Sequence, residues 1–253
     1  MKKTIKQLHL AAQYLAAAGI SFLNKEPDDS HTNLGWNSDK KRMETHAFGS
    51  GNHQLAINID TAHLEWLEDG LVTESLDLQQ STHTTILTWI SELVKKNELK
   101  EQYNYQFHYD LPYAAIADND KLTFNADAID EIIARLNIAQ KAFETFLDET
   151  GLTSPIRIWP HHLDLGIYTG LNSDGTTFMG AGLAIPDSLV DDLYYYVSAY
   201  NNDSEVVTKN FSQLAIGEWR SDWNGATLSS SQVDGHTALK FLNEVKGGFL
   251  AHA

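Results

Sequence analysis

The chain has 253 residues, of which 42% are hydrophobic and 21% charged, the proportions of a folded globular protein. Its 18 basic and 34 acidic residues give a formal net charge of −16, and so acidic a surface repels nucleic acids and anionic membranes. The absence of cysteine excludes disulfides, thiolate nucleophiles, iron–sulfur clusters and cysteine-based zinc sites. We therefore expect neither a nucleic acid nor a membrane as a partner.

The first predicted element is an N-terminal helix. Its apolar residues recur at helical spacing and form one stripe: Ile5, Leu8, Ala12 and Leu15. His9 and Gln13 lie off this stripe and interrupt the unbroken apolar stretch that a secretory signal requires. The segment thus predicts an amphipathic helix packed on a core, in a cytoplasmic protein.

A long polar loop and a group of short strands are predicted next. The loop covers residues 24–41, and ordered loops of this length tend to be functional or specifically packed. Four segments then alternate apolar and polar residues between turns: 43–48, 54–60, 63–67 and 72–78. Strands that follow one another so closely predict an antiparallel meander.

The remaining elements are two helices, a second set of strands and a closing helix. Residues 81–96 have helical periodicity, and residues 125–150 have it most clearly, with Asn125 at the N-cap and Gly151 after the last turn. Strands are predicted over 156–159, 163–169, 177–185 and 193–199, and a helix over 237–245. Strands and helices do not alternate, so we expect an α+β fold in which antiparallel sheet packs with several helices as a single domain, 1–253.

One predicted strand changes phase at Pro160. Its aliphatic residues are even-numbered before the proline, at Ile156 and Ile158, and odd-numbered after it, from Leu163 onwards. Because side chains alternate along a strand, one regular strand cannot bury both sets on the same face. An extra residue near Pro160 would restore the phase, which predicts a β-bulge.

With that bulge, His162 and Asp164 are expected two residues apart on one strand face. Their Cα atoms would lie roughly 6.5–7 Å apart, which suits two ligands of one metal or an imidazole oriented by a carboxylate. His161 could face either side, and Arg157 or Trp159 could hold an anionic or planar substrate. The candidate catalytic residues are therefore His161, His162 and Asp164, with His162 and Asp164 as candidate metal ligands. No motif indicates a cofactor.

The same stretch resembles a known family. Trp159-Pro-His-His-Leu-Asp164 is similar to the Trp-Pro-His-His-Phe-Asp signature of an uncharacterised bacterial family, a domain of unknown function, with leucine in place of phenylalanine. Further similar segments are 193–200, 217–219 and 223–226, with looser matches at Leu8-His9, Gln13, 30–37, 81–83 and Trp89. The resemblance implies no reaction, and it directs attention to the histidine pair and Asp164.

Two hypotheses remain open at this point. In the first, the strand forms a small-molecule or metal site whose walls come from other polar and aromatic segments. The candidate wall residues are His31, Asn33, Trp36, Asn37, Tyr194, Tyr195, Tyr196, Glu218 and Trp219. In the second, the motif belongs to a non-catalytic structural or interaction module and stabilises the bulge. The oligomeric state is left open by the sequence.

Overall fold

The computed structural model describes residues 1–172, 175–202, 204–231 and 233–252. Within this part of the chain it contains four α-helices and two antiparallel sheets, which confirms the predicted α+β fold. Backbone contacts divide the chain into two compact units: Met1–Ile133 with Ile158–Leu163, and Ala134–Arg157 with Asp164–Ala253. The single domain expected over 1–253 stays a prediction.

The first unit contains the predicted meander. Its elements are α1 (Lys2–Phe22), β1 (Gly35–Asn37), β2 (Arg42–Glu44), β3 (His53–Asn58), β4 (His63–Glu68), β5 (Leu71–Asp77) and α2 (His83–Lys96). The strands pair in the order β1-β2-β3-β4-β5, each antiparallel to the next. The predicted loop over 24–41 is more ordered than expected, because it includes a 3₁₀ turn at Ser30–Thr32 and the strand β1.

Helix α1 is buried on more sides than its apolar stripe predicts. His9 and Gln13, expected off the buried face, are only 1% and 0% exposed. That expectation was wrong because other parts of the first unit supply hydrogen-bond partners for both side chains. A polar residue on a helix is stable in a core when its polar atoms are paired.

One cover of α1 is an extended segment, which we call the tyrosine strap (residues 103–113). It has no regular secondary structure, and alternate side chains from Tyr103 to Tyr109 are partly buried while those between them are exposed. Tyr103 donates its hydroxyl to the carbonyl oxygen of Tyr14, and Tyr109 donates to Oε1 of Gln13. The strap therefore pairs with α1 through side chains rather than through a β-ladder.

The second sheet has the strand order β11-β12-β9-β8-β7-β6, with β10 paired to β9. These strands are β6 (Arg157–Trp159), β7 (Asp164–Gly170), β8 (Thr177–Ala184), β9 (Tyr194–Asn201), β10 (Ser204–Glu205), β11 (Glu218–Trp219) and β12 (Gly225–Ser229). Sequence analysis predicted β6 to β9 and missed the last three.

The two remaining helices are α3 (Ala126–Thr150) and α4 (Gly235–Leu250). At the start of α3, Oδ1 of Asn125 accepts a hydrogen bond from the backbone N–H of Ala128, and Gly151 follows its end with φ of +67°. Both predicted caps are thus confirmed. No helix in the described ranges is both long enough and apolar enough to span a membrane.

Candidate functional site

The phase change at Pro160 is a break between two strands. β6 ends at Trp159 and β7 begins at Asp164, so the predicted bulge within one strand is wrong. The backbone N–H groups of His162 and Leu163 both donate to the carbonyl oxygen of Trp159, over 3.2 and 2.7 Å. Leu163 has φ of +53°, a left-handed conformation that reverses the chain. We call residues 160–163 the Pro160 turn.

The turn separates the two residues that were expected side by side. His162 lies in the turn, is exposed and belongs to the first unit. Asp164 begins β7, is 6% exposed and belongs to the second unit, where Tyr196 donates its hydroxyl to Oδ2. Their expected position on one strand face is therefore wrong. A catalytic role for His161, His162 or Asp164 stays a prediction.

Two side chains of α1 hold the turn. The carbonyl oxygen of Pro160 accepts hydrogen bonds from Nε2 of His9 and Nε2 of Gln13, and each bond is 2.8 Å long. The strand before the turn is also fixed, because Leu34 and Ile158 exchange two backbone hydrogen bonds of 2.8 Å. Buried groups of the first unit therefore bind the residue before Trp159 and the residue after it.

The outer atoms of the same α1 side chains bind the tyrosine strap. Oε1 of Gln13 accepts the hydroxyl of Tyr109 at 2.7 Å, and Nδ1 of His9 bonds the hydroxyl of Tyr113. A carbonyl oxygen only accepts, so Nε2 of His9 must carry the proton and Nδ1 must accept from Tyr113. Burial lowers the pKa of His9 to about 4, despite its bond to Pro160, so the ring is neutral at pH 7.

The turn presents a pair of adjacent imidazoles. The rings of His161 and His162 have centroids 4.3 Å apart, and His161 also lies beside Tyr109 at 5.7 Å and Trp159 at 6.1 Å. Within the described residues, neither imidazole has a side-chain hydrogen bond. Half-buried His161 therefore offers a donor, an acceptor and an aromatic environment to a ligand.

The protonation state of His161 follows from its surroundings. Its partial burial, reinforced by the charges of His162 and His108, lowers its pKa to about 4, although Asp29 opposes the shift. The ring is consequently uncharged at pH 7. A general base works best when its pKa lies near the operating pH, so this environment favours binding over proton abstraction by His161.

The predicted loop residues of the first unit are engaged locally. His31 is 8% exposed and accepts from the backbone N–H of Glu26, and Trp36 is 7% exposed in β1 opposite Met43. Asn37 donates to Glu44 and accepts from the backbone N–H of Lys40, whereas Asn33 bonds His46. The structure thus gives these side chains structural contacts and leaves a ligand role for His31, Trp36 and Asn37 untested.

Three further predicted residues have different surroundings. Arg157 is half-buried in β6, where it alternates with the buried Ile158, and burial lowers its pKa. Glu218 and Trp219 form β11 in the second unit, where Glu218 accepts a hydrogen bond from Arg220.

Four residues around the turn were not predicted from periodicity: His9, Gln13, Tyr109 and Tyr113. The family resemblance alone pointed to two of them, His9 and Gln13.

A metal centre gains no support from the geometry. Across the described ranges, no three or more histidine, aspartate or glutamate side chains are grouped so that they could hold a metal ion. The two-residue metal site expected at His162 and Asp164 is smaller than such a group and stays a prediction.

Comparisons with family models, with curated proteins and with solved structures found no match for this chain. The site is accordingly interpreted from its own geometry.

Proposed function

We propose that the first unit binds a small molecule at the His161–His162 pair. The observation that carries this proposal is the half-buried imidazole of His161, which has no side-chain hydrogen bond in the described chain, although the carbonyl of the preceding Pro160 accepts two buried hydrogen bonds. Small-molecule sites typically place a few polar groups among aromatic rings. Because the Pro160 carbonyl is already held, the backbone beside His161 loses little conformational freedom when a ligand binds.

The chemistry of the pair favours a planar, uncharged ligand with both donors and acceptors. A neutral imidazole donates from one nitrogen and accepts at the other, and His161 offers both. The rings of Trp159 and Tyr109, whose centroids lie 6.1 and 5.7 Å from that of His161, provide aromatic surfaces on which a planar group can stack.

The test uses planar probes and the histidine resonances. Nicotinamide, benzamide and uracil are titrated into protein labelled in its histidine side chains, and ring ¹H–¹³C spectra are recorded. We expect at least one probe to shift the His161 and His162 signals saturably, and His161→Ala to weaken its binding roughly tenfold or more. His63→Ala, in β4 of the same unit, is the matched control and should retain binding. The absence of saturable shifts, or binding that His161→Ala leaves unchanged, would contradict the proposal.

A second candidate function rests on a different observation. The carbonyl oxygen of Pro160 accepts two buried hydrogen bonds, which favours the motif as part of a structural or interaction module. In that case His161→Ala lowers stability as much as substitutions in α1 do, and no probe binds. In the binding proposal only the α1 residues carry the stability, so unfolding measurements on His9→Ala and His161→Ala separate the two functions.

The cellular location, the charge of the ligand and the family of the protein are proposed as well. We propose that the protein is cytoplasmic, as expected from the sequence. The net charge of −16 favours a small ligand over a nucleic acid or an anionic membrane. Membership of the family with the Trp-Pro-His-His-Phe-Asp signature is likewise proposed, since His9 and Gln13, which share the resemblance, bind the Pro160 carbonyl within that signature.

A further inference from the structure

The second unit contains a groove that the proposed function does not use. It has a volume of about 480 Å³ and is formed by residues 207–209, 211 and 219–224, which we call the tryptophan groove. This volume lies within the roughly 300–1,000 Å³ that is usual for small-molecule sites. Its walls combine two indoles and a phenyl ring with charged and amide side chains.

The aromatic walls are held in place by their neighbours. Nε1 of Trp219 donates to the carbonyl oxygen of Ser212 over 2.9 Å, and its ring stands perpendicular to that of Phe211, with centroids 4.9 Å apart. The ring of Trp223 lies on Gly225, where a Cβ atom would come within 2.3 Å of it. Both indoles remain partly exposed. They therefore form preformed surfaces for stacking.

The polar wall is a fixed network of donors and acceptors. Arg220 binds both carboxylate oxygens of Asp222, at 2.9 and 3.0 Å, and its Nη1 binds Glu218 at 2.6 Å. Asn224 donates to Glu205 over 2.9 Å. After these bonds, each terminal nitrogen of Arg220 keeps one N–H, and the carboxylates keep free lone pairs. Donors and acceptors thus stand side by side at the groove.

Charges of both signs meet at the groove. Lys209, Arg220 and Asp222 line it, and two further carboxylates, of Glu218 and Glu205, bind Arg220 and Asn224. An anionic ligand would compete with the carboxylates that already neutralise Arg220, and a cationic ligand would compete with Arg220 for those carboxylates and meet the charge of Lys209. The network is therefore suited to an uncharged ligand that has many hydrogen-bonding groups.

We propose that the tryptophan groove binds a neutral sugar. The C–H face of a sugar ring stacks on an indole. Each sugar hydroxyl can both donate and accept a hydrogen bond, so hydroxyls beside that face can bind the donors and acceptors of Arg220, Asp222 and Asn224. The inference rests on this groove alone and is independent of the ligand at the His161–His162 pair.

The test follows tryptophan fluorescence and titration calorimetry during additions of maltose, cellobiose, lactose and N,N′-diacetylchitobiose. We expect saturable binding of at least one of them, weakened tenfold or more by Asp222→Asn and by Trp223→Ala. Asp222 is an exposed surface carboxylate, so Asp222→Asn keeps the fold even if the loss of the Trp223 ring disturbs it. Glu149→Gln, an exposed change on α3, is the matched control and should keep the affinity within twofold.

Glucose 6-phosphate is the charged comparison. We expect it to bind no more tightly than glucose, because Arg220 is already neutralised. Tighter binding of the phosphate would overturn the assignment of a neutral ligand. The absence of saturable binding to all four disaccharides, or binding that Asp222→Asn leaves unchanged, would overturn the proposed site.

Discussion

The Pro160 turn of the first unit and the tryptophan groove of the second fix their polar side chains in opposite ways. The turn is held by uncharged, buried groups, His9 and Gln13, that are completely paired. The groove is held by exposed ion pairs around Arg220. Losing a buried hydrogen bond between neutral groups lowers the free energy of unfolding, and protonating a buried neutral histidine makes that free energy depend on pH. Exposed ion pairs contribute little to the free energy of unfolding and are screened by salt.

The largest expected effect is that of His9→Ala. It removes a buried ring and leaves the Tyr113 hydroxyl and one lone pair of the Pro160 carbonyl without their partner. We expect the free energy of unfolding to fall by about 2–4 kcal/mol, measured by urea denaturation. Lys3→Ala, an exposed change on the same helix, should stay within about 0.5 kcal/mol. Equal effects of the two substitutions would show that the buried network does not hold the turn.

The pH dependence of stability is the next largest effect. The folded pKa of His9 is lowered from 6.5 to about 4, so between these values the unfolded chain binds a proton that the folded chain does not. The contribution of His9 to the free energy of unfolding is therefore complete above pH 6.5. It falls as the pH drops to about 4, with a slope on the order of 1 kcal/mol per pH unit. Urea denaturation at several pH values measures the slope, which His9→Gln should reduce. A slope that this variant leaves unchanged would assign the dependence to other groups.

A smaller effect is expected from His161→Ala. Its ring is half-buried and has no side-chain hydrogen bond within the described residues, so we expect a loss of less than about 1 kcal/mol. The melting temperature measures this loss, and the planar probes report binding in parallel. A destabilisation as large as that of His9→Ala would favour the structural module over the binding site.

The smallest effect on stability is expected from Asp222→Asn in the groove. An exposed ion pair contributes about 0–1 kcal/mol, so the free energy of unfolding should hardly change. Arg220 lowers the pKa of Asp222, so this carboxylate stays ionised as the pH falls from 7 to 5. Sugar binding should accordingly be constant over this range. A steep loss of sugar binding between pH 7 and 5 would contradict the account of the groove.

The sequence predicted those parts of the fold that are determined by neighbouring residues. Helix α3 follows from its apolar period together with Asn125 and Gly151, and the meander follows from strand alternation between short turns. Strands β10 to β12 were missed because they are only two to five residues long, and alternation over so few residues is a weak signal.

The candidate site was predicted only in part, for a physical reason. The change of phase at Pro160 located the irregularity, but local sequence does not distinguish a bulge from a turn with left-handed Leu163. The groups that hold this turn lie far away, since His9 and Gln13 precede Pro160 by 151 and 147 residues. Polar residues on a helix indicate an exposed face unless their partners are known, and no pattern in α1 identifies those partners.

The central claim is that a buried, neutral His9 holds the turn that presents His161. A long-range ¹H–¹⁵N correlation spectrum of the histidine rings, recorded from pH 7 to 4 and assigned with His9→Gln, tests it most directly. We predict that His9 carries its proton on Nε2 and stays uncharged until the pH approaches 4. A ring that gains its second proton near pH 6.5, or that carries its single proton on Nδ1, would contradict the account.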